Sequence, residues 1–201
     1  MQKHNITYLG VLQCKEEPVV LTQSFHFSDL PYFSRSQAKN VSTFMARELS
    51  KRVDYGFTAT TVDEYLVYSN KWSTGLCILC ICNSQYPART AFGLLQHSFF
   101  IFNDKYCYED LKFDNDLNLS LPELKELILK YKNPEAVDMY QNVYGKVQNT
   151  INIVHKTVKD LLNCEENLES LVNQSKDLSS RTKDVFAKSK KLKRRSCCSL
   201  M

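Results

Sequence analysis

The chain has 201 residues, 43% of them hydrophobic, and a formal charge of +4, enough for one sizeable core plus an appendage of about 60 to 70 residues. Six of the positive charges, Lys188, Lys190, Lys191, Lys193, Arg194 and Arg195, lie together near the C-terminus, so residues 1–187 carry −2 and the basic character does not describe a nucleic-acid-binding surface. No apolar run approaches the roughly 18 residues that span a bilayer, and MQKHNITYLGV lacks the apolar centre of a signal peptide, so the chain reads as cytoplasmic and its eight cysteines as reduced.

Along the chain, Ile6–Leu12 and Val19–Phe27 are β-rich runs separated by KEEP, a hairpin signature. Ser34–Arg52 is helical in character, with Val41, Phe44, Met45 and Leu49 three and four residues apart on one apolar face. Phe57–Tyr68 and Leu76–Cys82 supply two or three further strands. A second helix starts at about Ala88, just after Pro87, and a third runs over Leu121–Lys132 behind Ser120 and Pro122. Strands first and helices after them indicate an α+β domain.

Within this half, LCILCIC places Cys77, Cys80 and Cys82 close together. In a strand Cys80 and Cys82 share one face and Cys77 takes the other, which suits buried structural thiols better than a zinc site. His4, His26, His97 and His155 occur singly, without a nucleophile–base signature, and no GxxxxGK[ST] loop is present. Neither a catalytic centre nor a small GTPase is indicated.

Beyond Asn133–Pro134 the period changes. Steps of three and four from Tyr140 pass through Val143, Val147, Thr150, Val154, Thr157, Leu161, Cys164, Leu168, Leu171, Ser175, Leu178, Thr182, Val185, Ser189 and Leu192, and 11 of these 16 positions are apolar. This is a coiled-coil seam of seven heptads. A long amphipathic helix that packs on its own domain is the competing reading, but the small polar positions suit a bundle with helices from other chains.

The chain closes on KKLKRRSCCSLM. Cys198-Ser199-Leu200-Met201 reads as a C-a-a-X box whose Met favours a farnesyl group on Cys198. One lipid gives marginal membrane residence. Cys197, placed for palmitate or a second prenyl group, and the basic run Lys190, Lys191, Lys193, Arg194 and Arg195, facing anionic lipid, supply the further signals.

Three stretches, YFSRSQAKNVSTFMARELSKR, QYPARTAFGLLQ and YKNPEAVDMYQNVYGKVQNTINIVHKTVKDLLNCEENLESLV, together with the CC-x-x-M end, resemble the prenylated longin-domain R-SNAREs, the synaptobrevin homologues of the YKT-six type. The resemblance implies a longin (profilin-like) domain over residues 1–132, with a five-stranded antiparallel sheet between one helix and two. It further implies a linker at 133–137, a C-terminal SNARE coiled-coil helix with a basic end at 138–195, disordered or folded back when alone, and a lipidation tail at 196–201. Val147, Val154, Leu161, Leu168, Leu171, Leu178, Val185 and Leu192 would form layers of a four-helix fusion bundle, and Val41, Phe44 and Met45 a longin groove that covers the SNARE helix and the lipid. Expected partners are Q-SNARE proteins, membrane lipids and the SNARE-disassembly machinery. The free chain would be a cytosolic monomer, reversibly bound to Golgi, endosomal or vacuolar vesicle membranes, with covalent lipids and no cofactor.

The departure from the family lies at the central layer, where Cys164 stands in place of an Arg that faces three Gln residues. A thiol is a weak donor beside a guanidinium. This substitution gives weight to an alternative, a non-fusogenic longin-type trafficking regulator that binds SNAREs and lipid.

Overall fold

The apolar runs of the N-terminal half become strands because each can bury one or both faces against helices that follow or interrupt them. The computed structural model describes residues 5–28, 30–106, 115–134, 137, 154–157 and 168–184. Strands β1 (Ile6–Gln13), β2 (Val19–Phe25), β3 (Gly56–Val62), β4 (Tyr65–Lys71) and β5 (Leu76–Asn83) form an antiparallel sheet in the order β2-β1-β5-β4-β3. The uninterrupted LCILCIC run is β5, the central strand, buried along seven of its eight residues.

Helix α1 (Tyr32–Arg52) covers one face of the sheet, α2 (Ala88–Lys105) and α3 (Glu123–Tyr131) the other. Ala46, Leu49 and Val53 pack on Tyr8, Leu12, Val20, Cys77, Leu79 and Ile81. On the opposite face Leu94, Leu95, Phe102, Leu124 and Ile128 meet Leu9, Val11, Ile78, Cys80 and Cys82. The alternation expected of the three cysteines is therefore present, with Cys77 under α1 and the other two under α2 and α3. Pro87 is the cap residue just ahead of α2, its carbonyl accepting from Ala91 N at 3.0 Å. The C-terminal turn of α1 gives its last carbonyls to Lys71, whose Nζ lies 3.1 Å from Ser50 O and 3.3 Å from Val53 O. These five strands and the one-plus-two helical layering constitute the longin α+β fold.

The described C-terminal residues are folded back on the domain, one of the two states that the resemblance implies for a lone chain. Val154–Thr157 form a sixth strand, β6, parallel to β3 with Thr58 opposite Val154 and Thr61 opposite Thr157. Leu168–Gln174 make a short helix, α4, and residues 180–184 are helical after a turn at 176–178. The physical reason is burial. A seam built for several helices cannot bury its apolar positions as a lone helix, whereas the open edge of β3 satisfies backbone groups and β-branched Val154 and Thr157 favour a strand.

Candidate functional site: the outer face of the first helix

Helix α1 turns Ala46, Leu49 and Val53 into the sheet, and Phe44 away from them. Phe44 is nevertheless only 6% exposed. Its cover is Val172 of α4 and Leu178 of the following turn, with Met45 and Leu171 at the edge of the same small cluster. Phe44 belongs to neither of the two sheet cores, so its burial rests on residues 168–184 lying against the longin domain.

One helical turn along from Phe44, Arg47 fastens the contact. Its Nε lies 2.9 Å from Asp177 Oδ2, another guanidinium nitrogen donates to Asp116, and a third donates to the carbonyl oxygen of Pro18 in the β1–β2 turn. Three segments far apart in the chain thus share one side chain. The Arg47 and Asp177 side chains are each 19% exposed. Burial alone would lower Arg47, but the two carboxylates outweigh it and hold the guanidinium above its ordinary value. Burial also pushes Asp177 above the usual carboxylate value, and Arg47 offsets this only in part. Lys176 and Glu17, 3.5 Å apart and each over 80% exposed, add little.

The turn itself is locally specified. Ser175 Oγ accepts from Asp177 N at 3.2 Å, and Ser179 Oγ accepts from Thr182 N at 3.3 Å, an N-cap for the helical residues that follow. Lys183 Nζ donates to Asn173 O at 2.7 Å and ties those residues back to α4. Beside this junction lies an open cleft of about 880 Å³ bordered by Pro18, Arg47, Lys51, Asp116, Leu171 and Asp177. Its mixed charges and lack of a convergent nucleophile and base give it no catalytic arrangement. Among the described residues no group of three or more His, Cys, Asp or Glu could hold a metal ion.

Of the residues singled out from sequence, the structure brings Phe44, Met45, Leu171 and Leu178 together, while Val41 stays 37% exposed outside the cluster. Val154 lies in β6 and Leu168 opens α4. Val147, Leu161, Cys164, Val185, Leu192, the basic run Lys188 to Arg195, Cys197 and Cys198 lie outside the described residues. Sequence reasoning missed Val172, Arg47, Asp116, Asp177 and the pairing of β6 with β3. Val172 sits next to a seam position, a signal that was available. An ion pair between residues 47 and 177 leaves no local signature.

The fold and the site define a longin-type domain with a C-terminal SNARE-like segment packed on its first helix. Comparison with known proteins gives the same division: residues 27–128 match the longin model, "Regulated-SNARE-like domain", and residues 139–201 match the synaptobrevin model. "VAMP-like protein YKT61" of Arabidopsis thaliana is 30% identical over 200 residues, covering 98% of this chain and 99% of its own. "VAMP-like protein YKT62" of the same plant is 32% identical over 202 residues, with coverage of 98% and 99%. "Synaptobrevin homolog YKT6" of Saccharomyces cerevisiae is 28% identical over 202 residues, again covering 98% and 99%. A solved structure described as "Identification of yeast R-SNARE Nyv1p as a novel longin domain protein" superposes with a TM-score of 0.42 at 12% identity, over 75% of this chain and 100% of that one. The chain belongs to the family of longin-domain synaptobrevins of the YKT6 type. That family consists of SNAREs of vesicle trafficking, which are not enzymes. No helix among the described residues is long and apolar enough to cross a membrane.

Proposed function

We propose that this protein is a lipid-anchored SNARE that contributes one helix to a four-helix bundle with Q-SNARE partners and drives vesicle membrane fusion in Golgi, endosomal or vacuolar traffic. Between rounds its longin domain holds the SNARE segment closed and directs targeting. The observation that carries this reading is the shared use of seam residues. Leu171 and Leu178 pack around Phe44 and Val154 pairs with β3, so the same side chains and backbone cannot at that moment serve a bundle. Farnesyl on Cys198 and palmitate or a second prenyl group on Cys197, assisted by Lys190, Lys191, Lys193, Arg194 and Arg195, would hold the C-terminus at the membrane, where zippering must deliver its force. The bundle would then be returned to free chains by the SNARE-disassembly machinery.

Cys164 favours a second reading, a regulator that binds SNAREs and lipid without fusing membranes. Reconstitution separates the two. Lipid-anchored protein in liposomes, mixed with liposomes bearing three Q-type SNARE motifs, is expected to give an SDS-resistant complex and lipid mixing. Complex formation without mixing would replace the fusion reading with the regulatory one.

A further inference from the structure

We propose that Cys14 is a thiol that hydroperoxides oxidise and that Cys77 is the thiol that resolves it, forming a reversible disulfide beneath the end of α1. Four free cysteines lie among the described residues, and Cys14 is the one that solvent reaches; Cys77, Cys80 and Cys82 are buried. It follows β1 directly, beside the exposed Lys15–Glu17 turn. Leu12 is paired with Cys77, and the Cys14 N–H donates to Gly75 O at 2.8 Å, so the two cysteines are diagonal neighbours on the α1 face of the sheet. Cys14 packs against the same apolar cluster that contains Cys77. Cys14 also lies one residue past the last paired position, Gln13 with Leu76, where closing a bond draws on a strand end and not on the middle of the sheet.

The surroundings suit a nucleophilic sulfur. In its neutral form Cys14 donates to Ser50 O at 3.2 Å, and Lys71 Nζ lies 3.1 Å from that same oxygen. The neighbouring Cys77 is the chief influence that lowers Cys14 from its ordinary 9.0 to about 7, against burial and helped by the Lys71 ammonium. Cys77, for its part, is held well above its ordinary value, chiefly by its neighbour Cys14 and by burial. The half-buried Cys14 is thus the more readily ionised of the two and the one that meets a peroxide first, with Cys77 behind it to attack the sulfenic sulfur once that has formed. The buried pair Cys80 and Cys82, 3.6 Å apart, offers a contrast: both are shut off from solvent.

In the first step the Cys14 thiolate takes the terminal oxygen of the peroxide, the O–O bond breaks, and the departing hydroxide or alkoxide is protonated. In the second, Cys77 sulfur attacks the sulfenic sulfur, and the displaced hydroxide leaves as water with the Cys77 proton. Two thiols have then lost two hydrogens and two electrons, and the peroxide has gained them. The bond removes the Cys14 donor from the last turn of α1 and leaves Ser50 O to Lys71. Thiol state is thereby coupled to the helix that carries Phe44 and Arg47.

The full chain supplies the test. With Cys14 lowered to about 7, its larger thiolate fraction at neutral pH is partly offset by lower nucleophilicity, so alkylation should be several-fold faster than for a thiol of ordinary pKa and equal exposure. Peptide mapping after iodoacetamide pulses should give Cys14 a rate midpoint near pH 7. Hydrogen peroxide should then yield a reducible link between the Cys14 and Cys77 peptides with Cys80 and Cys82 unchanged, and in Cys77→Ala a dimedone adduct should collect on Cys14. A Cys14 that labels with a midpoint near pH 9, or that accumulates as sulfenic or sulfinic acid in the wild type, overturns the proposal. The labelling measurement needs no variant and stands even where Cys77→Ala fails to fold.

Discussion

Replacing Phe44 with Glu should open the junction and spare the domain. Phe44 is 6% exposed in a cluster separate from both sheet cores, so the substitution removes contacts with Val172 and Leu178 and leaves Ala46, Leu49 and Val53 in place. Losing a buried phenyl ring costs about 1.5–3 kcal/mol. A carboxylate left in the same apolar site costs at least about 2 kcal/mol more. Together they disfavour the closed form by about 4 kcal/mol, on the order of a thousandfold in its ratio to the open form. Hydrogen exchange by mass spectrometry measures this directly, since the amide of Ser175, bonded to Leu171 O at 3.0 Å, and those of β6 should lose protection. The melting temperature of the longin domain should change little, because the sheet cores are untouched. Unchanged exchange over residues 154–157 and 168–184 would refute the reasoning, and so would loss of the longin fold, which would make Phe44 a core residue.

Asp177→Lys should set a cation against Arg47 and lower exchange protection over residues 168–184 by roughly 1–2 kcal/mol, with Arg47→Ala at least as severe because Pro18 and Asp116 also lose their partner. Since burial holds Asp177 above its ordinary 3.8, the closed form binds a proton more readily than the open form. The Asp177 contribution to closing therefore strengthens as pH falls through the raised value and weakens as pH rises, and Asp177→Asn should abolish this dependence of the protection factors. Cys198→Ser should leave the protein in the soluble fraction after cell fractionation, and Cys197→Ser should keep the prenyl group yet shorten membrane dwell time. Cys164→Arg should raise the melting temperature of complexes with three-glutamine partners, since charge-assisted hydrogen bonds are about twice as strong as neutral ones; a lower melting temperature would mean that the natural partners present a different central layer.

The N-terminal fold was legible because its signals are local. β-rich runs, Pro87 ahead of α2 and the three–four spacing in α1 all act within a few residues, and the elements begin and end within a few positions of expectation. The side of β5 on which each cysteine falls follows from alternation alone. Half of the α1 stripe proved to serve another purpose: spacing identifies Phe44 as apolar-facing but cannot tell a core from a docking face, because both demand the same side chain. The strand at Val154–Thr157 was hidden for a different reason. Its residues also satisfy the heptad, and a pattern that fits two structures cannot say which is formed in the absence of partners. Arg47 was invisible since its partners, Pro18, Asp116 and Asp177, converge only through the tertiary fold.

This double fit has an energetic consequence under the proposed function. A bundle requires Val154, Leu171 and Leu178 on one continuous helical stripe, whereas the closed chain uses Val154 in a parallel strand and Leu178 in a turn. Entry into a bundle must therefore break the closed form before any layer is gained in its middle. If closing is worth about 3 kcal/mol, only about one chain in 150 is open, and apparent affinity for partners falls by that factor. The closed form weighs on association alone, because a helix already in the bundle meets β3 and Phe44 only after it has left. Phe44→Glu should accordingly speed assembly with Q-SNARE motifs and leave the dissociation rate of the finished bundle unchanged. A change confined to dissociation would mean that Phe44 acts within the bundle itself.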